Sequence, residues 1–217
     1  MDRETLALAV GELRVFPLPG MVLLPGANLP LHVFEPRYLA LVADALAADG
    51  LICVPQIVDG HEGDQLANPV LYPYAAVGRI VSPRLLPDGH YTIVIEPIGR
   101  VRLLAERDST AAYRVFSAEL LPEGEAPEAL AEIGRRLFAI VAPMLARMGP
   151  RGGQVVRGFG SLPSAQVPAA LAPILMRASL SRQEYLAVDD PLRRAQLVEE
   201  ALLTALAEGQ SSDAAEA

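Results

Sequence analysis

The chain has no lysine, and all 18 of its basic residues are arginine. This absence excludes the chemistries that need the lysine amine, namely a Schiff base, a Ser-Lys dyad and the phosphate contact of a Walker A loop. Cysteine is almost absent too: Cys53 is the single one, so no intrachain disulfide can form. Because Cys53 lies among apolar neighbours, it is predicted to be a small buried residue and not a reactive thiolate.

Long apolar runs and positive charge are also scarce. The longest apolar run, residues 138–146, contains Pro143 and is far shorter than the roughly 18 residues that a membrane span needs. The acidic first residues do not resemble a secretory signal. The formal net charge of −8 argues against binding to nucleic acid or to a membrane surface. These features predict a folded, cytoplasmic protein.

The first half of the chain has the alternating pattern and turn residues of a β-structure. One helix interrupts this pattern: Glu35 is predicted at its N-cap, Pro36 at its first position and Gly50 at its end. Many short strands with close turns favour a small β-barrel, here predicted for residues 1–121 with the one helix inserted. The predicted strands are 13–16, 31–34, 51–58, 75–82, 91–96, 100–105 and 113–121.

The second half has helical spacing of its apolar residues, and a helical bundle is predicted for residues 122–209, which makes the fold α+β. The glycine-rich segment 149–160 is interpreted as a flexible connector between helices, and residues 210–217 as a disordered tail. The predicted helices are 128–148, one after Ser164, one after Ser181 and one from Asp190 to Gly209.

Two groups of residues are candidates for a metal site or for catalysis. The loop 59–64 has four residues of metal-binding types, but their spacing fits neither a calcium loop nor a zinc site, so a solvated loop is predicted, with no metal and no cofactor. His32 and His90 leave a His-dependent hydrolase as an alternative, although the chain has no Gly-x-Ser-x-Gly motif. The four loop residues are Asp59, His61, Glu62 and Asp64.

The segment 21–24 combines four large apolar residues with the punctuation of a loop, since Gly20 precedes it and Pro25 follows it. Loops seldom bury well, so part of this segment is predicted to bind a partner; an inner strand of the barrel is the alternative. The predicted binding residues here are Met21, Val22, Leu23 and Leu24.

The order of several motifs resembles the N-terminal domain of Lon proteases and its stand-alone relatives. The specific part is Val15–Gly20, then Val22–Gly26, then Leu29–Leu31 and Phe34–Tyr38. The later stretches 77–80 and 99–102, and the closing helices around 181–194, are similar to the same family, so that the resemblance covers residues 11–208.

The resemblance implies a PUA-like β-barrel followed by a helical bundle, with a role in recognising substrate proteins. In Lon the chemistry belongs to the AAA+ and peptidase domains, so this chain is predicted to be non-catalytic. Its expected partners are unfolded or peptide segments of other proteins, which it would pass to a separate protease. A PUA-like RNA-binding protein is the alternative, with a basic patch made by Arg100, Arg102, Arg151 and Arg157.

The junction Phe34–Tyr38 places two opposite charges around Pro36. Glu35 is predicted to cap the helix, and Arg37 is expected to contact another carboxylate or barrel carbonyls, because it is too near Glu35 for a helical ion pair. Phe34 and Tyr38 are expected to be packing anchors. Glu35 and Arg37 complete the predicted binding set, as the rim of a binding surface.

Overall fold

The computed structural model describes residues 2–61 and 68–215, with side chains up to 208. The chain divides into two compact units. The first unit comprises the described residues up to Pro122 together with Arg182–Ala187. The second unit comprises Glu123–Ser181 and the chain from Val188 onward.

The first unit contains two α-helices and eight strands, with a short 3-10 turn after the first helix. The elements in chain order are α1 Arg3–Ala9, β1 Leu13–Val15, β2 Leu18–Pro19, β3 Leu29–Val33, α2 Pro36–Ala47, β4 Leu51–Val54, β5 Gln56–Ile57, β6 Tyr74–Leu85, β7 Tyr91–Glu106 and β8 Arg114–Leu120.

The larger sheet closes on itself through its longest strand. Its order is β3-β7-β6-β4-β1-β8, and β7 also pairs with β8, so five strands form a ring. The first residues of β7, Tyr91–Ile95, pair with β3, whereas its later residues, Val101–Glu106, pair with β8. Strands β2 and β5 form a separate parallel pair. This near-closed ring with one inserted helix confirms the predicted fold class.

Helix α2 is set by local signals that the sequence displays. Pro36 occupies its first position, where a missing N–H costs no hydrogen bond. The helix ends at Ala47, and the N–H of Gly50 bonds to the carbonyl of Ala45, as predicted for its C-terminus. Its buried residues recur at helical spacing and pack against the ring in one apolar cluster: Tyr38, Leu41, Val42 and Ala45.

The second unit is helical. Its elements are α3 Pro127–Ala146, α4 Pro150–Gly160, α5 Val167–Leu175, α6 Ser179–Ala187 and α7 Pro191–Ala215, and the last residues of α6 belong to the first unit. The prediction of a flexible connector at 149–160 is wrong, because these residues form α4. The predicted end of the last helix at Gly209 differs from the structure, in which α7 continues to Ala215.

The interior of the second unit comes from three helices. The side chains of Ile133 and Leu137 on α3, Leu171 on α5, and Val198 and Leu202 on α7 are buried. None of the described helices combines the length and the apolar character that would let it cross a membrane.

Candidate functional site

The strand-to-helix junction is held by an ion pair between two near neighbours. Glu35 has extended backbone angles, φ −69° and ψ 132°, and its carbonyl accepts the N–H groups of Tyr38 and Leu39, each at 2.9 Å. Its carboxylate makes no capping bond to the helix. It accepts instead from Arg37, with Nε at 3.1 Å and Nη2 at 3.0 Å.

Both predictions for these charges are therefore corrected. Glu35 occupies the N-cap position, but its carboxylate does not cap, and Arg37 bonds Glu35 and not a distant carboxylate. The spacing rule for helical pairs applies to residues that are both inside a helix. Because Glu35 lies outside α2 in extended backbone, its side chain can reach the guanidinium two residues later.

Tyr38 links this ion pair to the core. Its ring meets Phe16 edge-on, with 4.2 Å between centroids, and the guanidinium carbon of Arg37 lies 4.4 Å from the centroid of the Tyr38 ring. Burial raises the pKa of the Tyr38 phenol above its ordinary value. Tyr38 is thus the packing anchor that was predicted, whereas Phe34 is 57% exposed and does not pack as expected.

A shallow apolar cleft lies beside the junction. It is lined by two segments, Phe16–Pro19 and Leu31–Glu35, and by Tyr38. The buried side chains of Phe16, Val33 and Tyr38 belong to the core cluster under α2, so the cleft opens directly above the core. The exposed side chain of Phe34 also lines the cleft.

An aromatic cluster extends the cleft towards the β6–β7 turn. The ring of His32 lies 6.1 Å from Phe34 and 5.3 Å from His90, and Phe34 lies 6.2 Å from His90. His32 and His90 are 58 positions apart in the sequence. The structure brings them together because β3 pairs with the start of β7. The Nδ1 of His90 is 3.2 Å from a carboxylate oxygen of Asp88.

This geometry gives no support to the hydrolase alternative. In the described part of the chain, neither His32 nor His90 has a hydrogen bond to a serine or threonine hydroxyl, as an activated nucleophile requires. Cys53 is buried, as predicted, and burial raises the pKa of its thiol, which disfavours the thiolate. Among the described residues no cluster of His, Cys, Asp or Glu could hold a metal; Glu62 and Asp64 lie outside them.

The segment 21–24 is largely internal. Val22, Leu23 and Leu24 are buried, and Leu23 joins the same core cluster as Tyr38. Only Met21, at 39% exposure, offers surface to a partner, so the expectation of an exposed apolar segment is corrected. The segment is also not a strand: it is an irregular stretch whose side chains fill the core.

The predicted basic patch is not assembled in the barrel. The side chain of Arg100 has no solvent exposure, and its guanidinium donates to the carbonyls of Leu186 and Pro122 at 2.7 and 2.5 Å. Arg102 pairs with Glu119 through Nη2 at 2.6 Å. Because one arginine is internal and the next is neutralised, these two residues do not form an electrostatic surface for RNA.

A near-closed barrel with an inserted helix, followed by helices, is the α+β architecture of this chain, and the sequence comparison gives its family. Residues 12–204 match the ATP-dependent protease La (LON) substrate-binding domain. The chain therefore belongs to the Lon substrate-binding domain family, which confirms the resemblance seen in its motifs.

Individual relatives agree with this assignment. The chain is 32% identical over 113 residues to Lon protease 2 of Syntrophobacter fumaroxidans, a match that covers 52% of this chain and 14% of that protein. It is 33% identical over 92 residues to Lon protease 2 of Myxococcus xanthus, covering 42% of this chain and 11% of the relative. The chain thus matches only a small part of these relatives.

Two solved structures share the fold. The N-terminal domain of the Lon protease of the Mycobacterium avium complex superposes with a TM-score of 0.69 at 14% identity, covering 88% of this chain and 97% of that one. A Lon N-terminal domain protein from Xanthomonas campestris gives a TM-score of 0.61 at 27% identity, with 87% and 97% covered. Both solved structures carry a Lon N-terminal domain.

Removal of the ion pair at the junction tests its structural role. Arg37→Ala is expected to lower the free energy of unfolding by about 1 kcal/mol, because it removes both the half-exposed pair with Glu35 and the contact with the Tyr38 ring. Glu35→Gln, which keeps the ring contact, should cost about half as much. Urea denaturation followed by tyrosine fluorescence measures both.

Arg84→Ala is the matched control, since Arg84 is an exposed arginine of β6. Its change should be below about 0.5 kcal/mol. If Arg37→Ala leaves the unfolding midpoint where it is and instead abolishes partner binding, then the pair acts at a binding surface and not in stability.

Proposed function

We propose that this protein is a non-catalytic module that binds unfolded or peptide segments of other proteins and delivers them for proteolysis. One observation carries the proposal: in a domain of the Lon substrate-binding family, an apolar cleft opens above the core and has an exposed aromatic side chain, Phe34, beside it. Exposed aromatic residues next to apolar clefts are frequent anchors of protein interfaces.

The charges around the cleft favour an uncharged occupant. Among the described residues, Glu35 is the one carboxylate that lines it, and Arg37 compensates this charge. The cleft walls are otherwise apolar or imidazole, with prolines at 17 and 19. An apolar segment of an unfolded chain would therefore lose little on leaving water for this cleft, whereas a charged segment would lose its hydration.

Of the predicted binding residues, Glu35 lines the cleft and Arg37 supports it through the ion pair. Met21 is exposed and is a candidate for contact with the partner outside the cleft. Val22, Leu23 and Leu24 would contribute by holding the core under the cleft and not by touching the partner, because they are buried.

Phe34→Ser is expected to weaken binding of an unfolded protein at least tenfold. The probe is fluorescently labelled α-lactalbumin, reduced and carboxymethylated so that it stays unfolded, and its affinity is measured by fluorescence anisotropy. The loss is expected because a few aromatic anchors contribute most of the binding free energy of a typical protein interface. Since Phe34 is exposed, its replacement should leave the unfolding midpoint nearly unchanged.

Leu104→Ser is the matched control. Leu104 is an equally exposed apolar residue, at 56%, on β7, and it does not line the cleft. Its replacement should leave the affinity unchanged. Equal affinities for wild type and both variants, or an equal loss in both variants, would show that the cleft is not the binding site.

A further inference from the structure

Strand β3 is the end of its sheet, and the hydrogen-bond pattern shows which of its backbone groups point outward. In the β6–β7 hairpin the N–H of Leu86 donates to the carbonyl of His90 at 2.8 Å. Hydrogen-bonded pairs recur every second residue in an antiparallel ladder, so Thr92, which pairs with Arg84, directs its backbone groups to β6. Tyr91 and Ile93 must then face β3.

The register of β3 against β7 completes the assignment. Val33 pairs with Tyr91, and Leu31 pairs with Ile93, so these two residues of β3 use their backbone groups on β7. Pro30 and His32 alternate with them and face the opposite side. Pro30 has no N–H, and on the outward side of an edge strand this absence costs no ladder hydrogen bond, so proline is tolerated at that position. The outward edge therefore presents the carbonyl of Pro30 and both the N–H and the carbonyl of His32.

The other segment that lines the cleft, Phe16–Pro19, has no free N–H to offer this edge. The N–H groups of Phe16 and Leu18 donate to the carbonyls of Cys53 and Pro55, at 2.8 and 3.0 Å. The residues that alternate with them are prolines at 17 and 19, which have no N–H to donate across the cleft. In the described part of the chain, β3 has no strand partner other than β7. The cleft thus has an unpaired strand edge along one wall.

We propose that this edge of β3 binds an extended polypeptide segment as an added strand, with His32 as the residue that pairs through both its N–H and its carbonyl. The inference rests on the proposed function and specifies its mode of recognition: the occupant is an uncharged, extended segment with apolar side chains at alternate positions. Alternate side chains of an added strand point to opposite faces. One set would meet the inner wall made by Phe16 and Tyr38, and the other would lie beside Phe34.

Recognition of this kind is directed at the backbone of the bound segment. Main-chain hydrogen bonds supply affinity for any extended chain, while the apolar wall selects side chains only loosely. The unpaired edge therefore suits segments of many sequences, provided that they are unfolded and have no charge at the inward positions.

The test on the protein is a pair of substitutions at one position. His32→Pro removes the outward N–H, whereas His32→Ala keeps the N–H and removes only the imidazole. The probe is a fluorescent eight-residue peptide of alternating valine and threonine, and affinity is measured by anisotropy. Strand addition predicts binding at least tenfold weaker for His32→Pro and within twofold of wild type for His32→Ala. Equal affinities of the two variants would overturn the proposal.

Modified peptides give a second test that does not depend on how His32→Pro folds. Two versions of the peptide are N-methylated, one at every valine and one at every threonine, so that each lacks the N–H groups on one side. Strand addition predicts at least a tenfold loss for one or both versions. Affinities equal to that of the unmodified peptide for both versions would contradict the proposal, and so would absence of binding by the unmodified peptide.

These outcomes separate the two proposals. If labelled α-lactalbumin binds in a manner sensitive to Phe34→Ser, while N-methylation and His32→Pro have no effect, then the cleft binds unfolded chains through side chains alone. If α-lactalbumin does not bind, the proposed function itself fails.

Discussion

Gly134→Ala is expected to lower the free energy of unfolding of the second unit by about 2 kcal/mol, the reverse of the usual effect of this substitution in a helix. Glycine inside a helix normally costs about 1 kcal/mol relative to alanine. Here, however, a Cβ on Gly134 of α3 would fall 1.8 Å from the carbonyl oxygen of Ser164. The two backbones must separate to admit it, and overpacking of this kind costs about 1–3 kcal/mol or more.

The measurement is thermal unfolding followed by far-UV circular dichroism, because the second unit is helical. The chain's six tyrosines all lie in the first unit, so tyrosine fluorescence follows that unit separately. Gly158→Ala in α4 is the control: a Cβ there meets nothing within 4 Å, and the substitution should stabilise by about 0.5–1 kcal/mol. A stabilising effect of Gly134→Ala would show that α3 and Ser164 are not in close contact.

Arg100→Met is expected to lower the free energy of unfolding of the first unit by about 3 kcal/mol. The guanidinium is fully buried and donates to two carbonyls, those of Pro122 and Leu186. Methionine preserves much of the apolar volume and removes the buried charge, but it leaves the carbonyl of the buried Leu186 without this donor and also removes the bond to Pro122. The loss of a partner by a buried acceptor costs about 1–3 kcal/mol. Tyrosine fluorescence during urea denaturation measures the change.

Hydrogen exchange adds a local readout to this experiment. Because Arg100 holds the carbonyl of Leu186, the amides of 183–187 should lose protection in Arg100→Met even where the rest of the barrel keeps it. Arg102→Met, two residues along the same strand, removes an exposed pair with Glu119 and should cost less than about 1 kcal/mol. Equal costs for the two variants would mean that Arg100 does not tie this stretch to the barrel.

The features that the sequence predicted well are those with local causes. Helix α2 begins at Pro36 and closes near Gly50 because each residue acts on the backbone beside it. The alternating pattern of the strands similarly reflects one buried and one solvated face. These signals sufficed for the fold class, and the opening motifs sufficed for the family.

Several errors occurred where a contact between separate elements overrides a local signal. The glycines in 149–160 led to the prediction of a flexible connector, but these residues form α4. A Cβ on Gly152 would lie 1.8 Å from the carbonyl oxygen of Leu145. Glycine is there for a close approach of two backbones and not for flexibility. Spacing alone could not distinguish these two uses.

The sequence predicted only part of the cleft. Glu35 and the apolar run 21–24 drew attention to the right region, but burial of Val22, Leu23 and Leu24 depends on how an irregular stretch closes over the core. Phe34 was predicted to be a packing anchor, and His32 was a candidate residue of a hydrolase. One signal could have identified them: Pro30, His32 and Phe34 alternate on one side of a strand whose proline marks it as an edge.

The return of residues 182–187 to the first unit has a consequence for the order of folding during synthesis. The barrel residues are complete once Pro122 has been made, but the acceptor at Leu186 and the buried partner of Gln56, Gln183, are added more than sixty residues later. Until then Arg100 lacks the carbonyl of Leu186 as an acceptor. A nascent chain that stops within the second unit would therefore present an unfinished barrel to the chaperones and proteases at the ribosome.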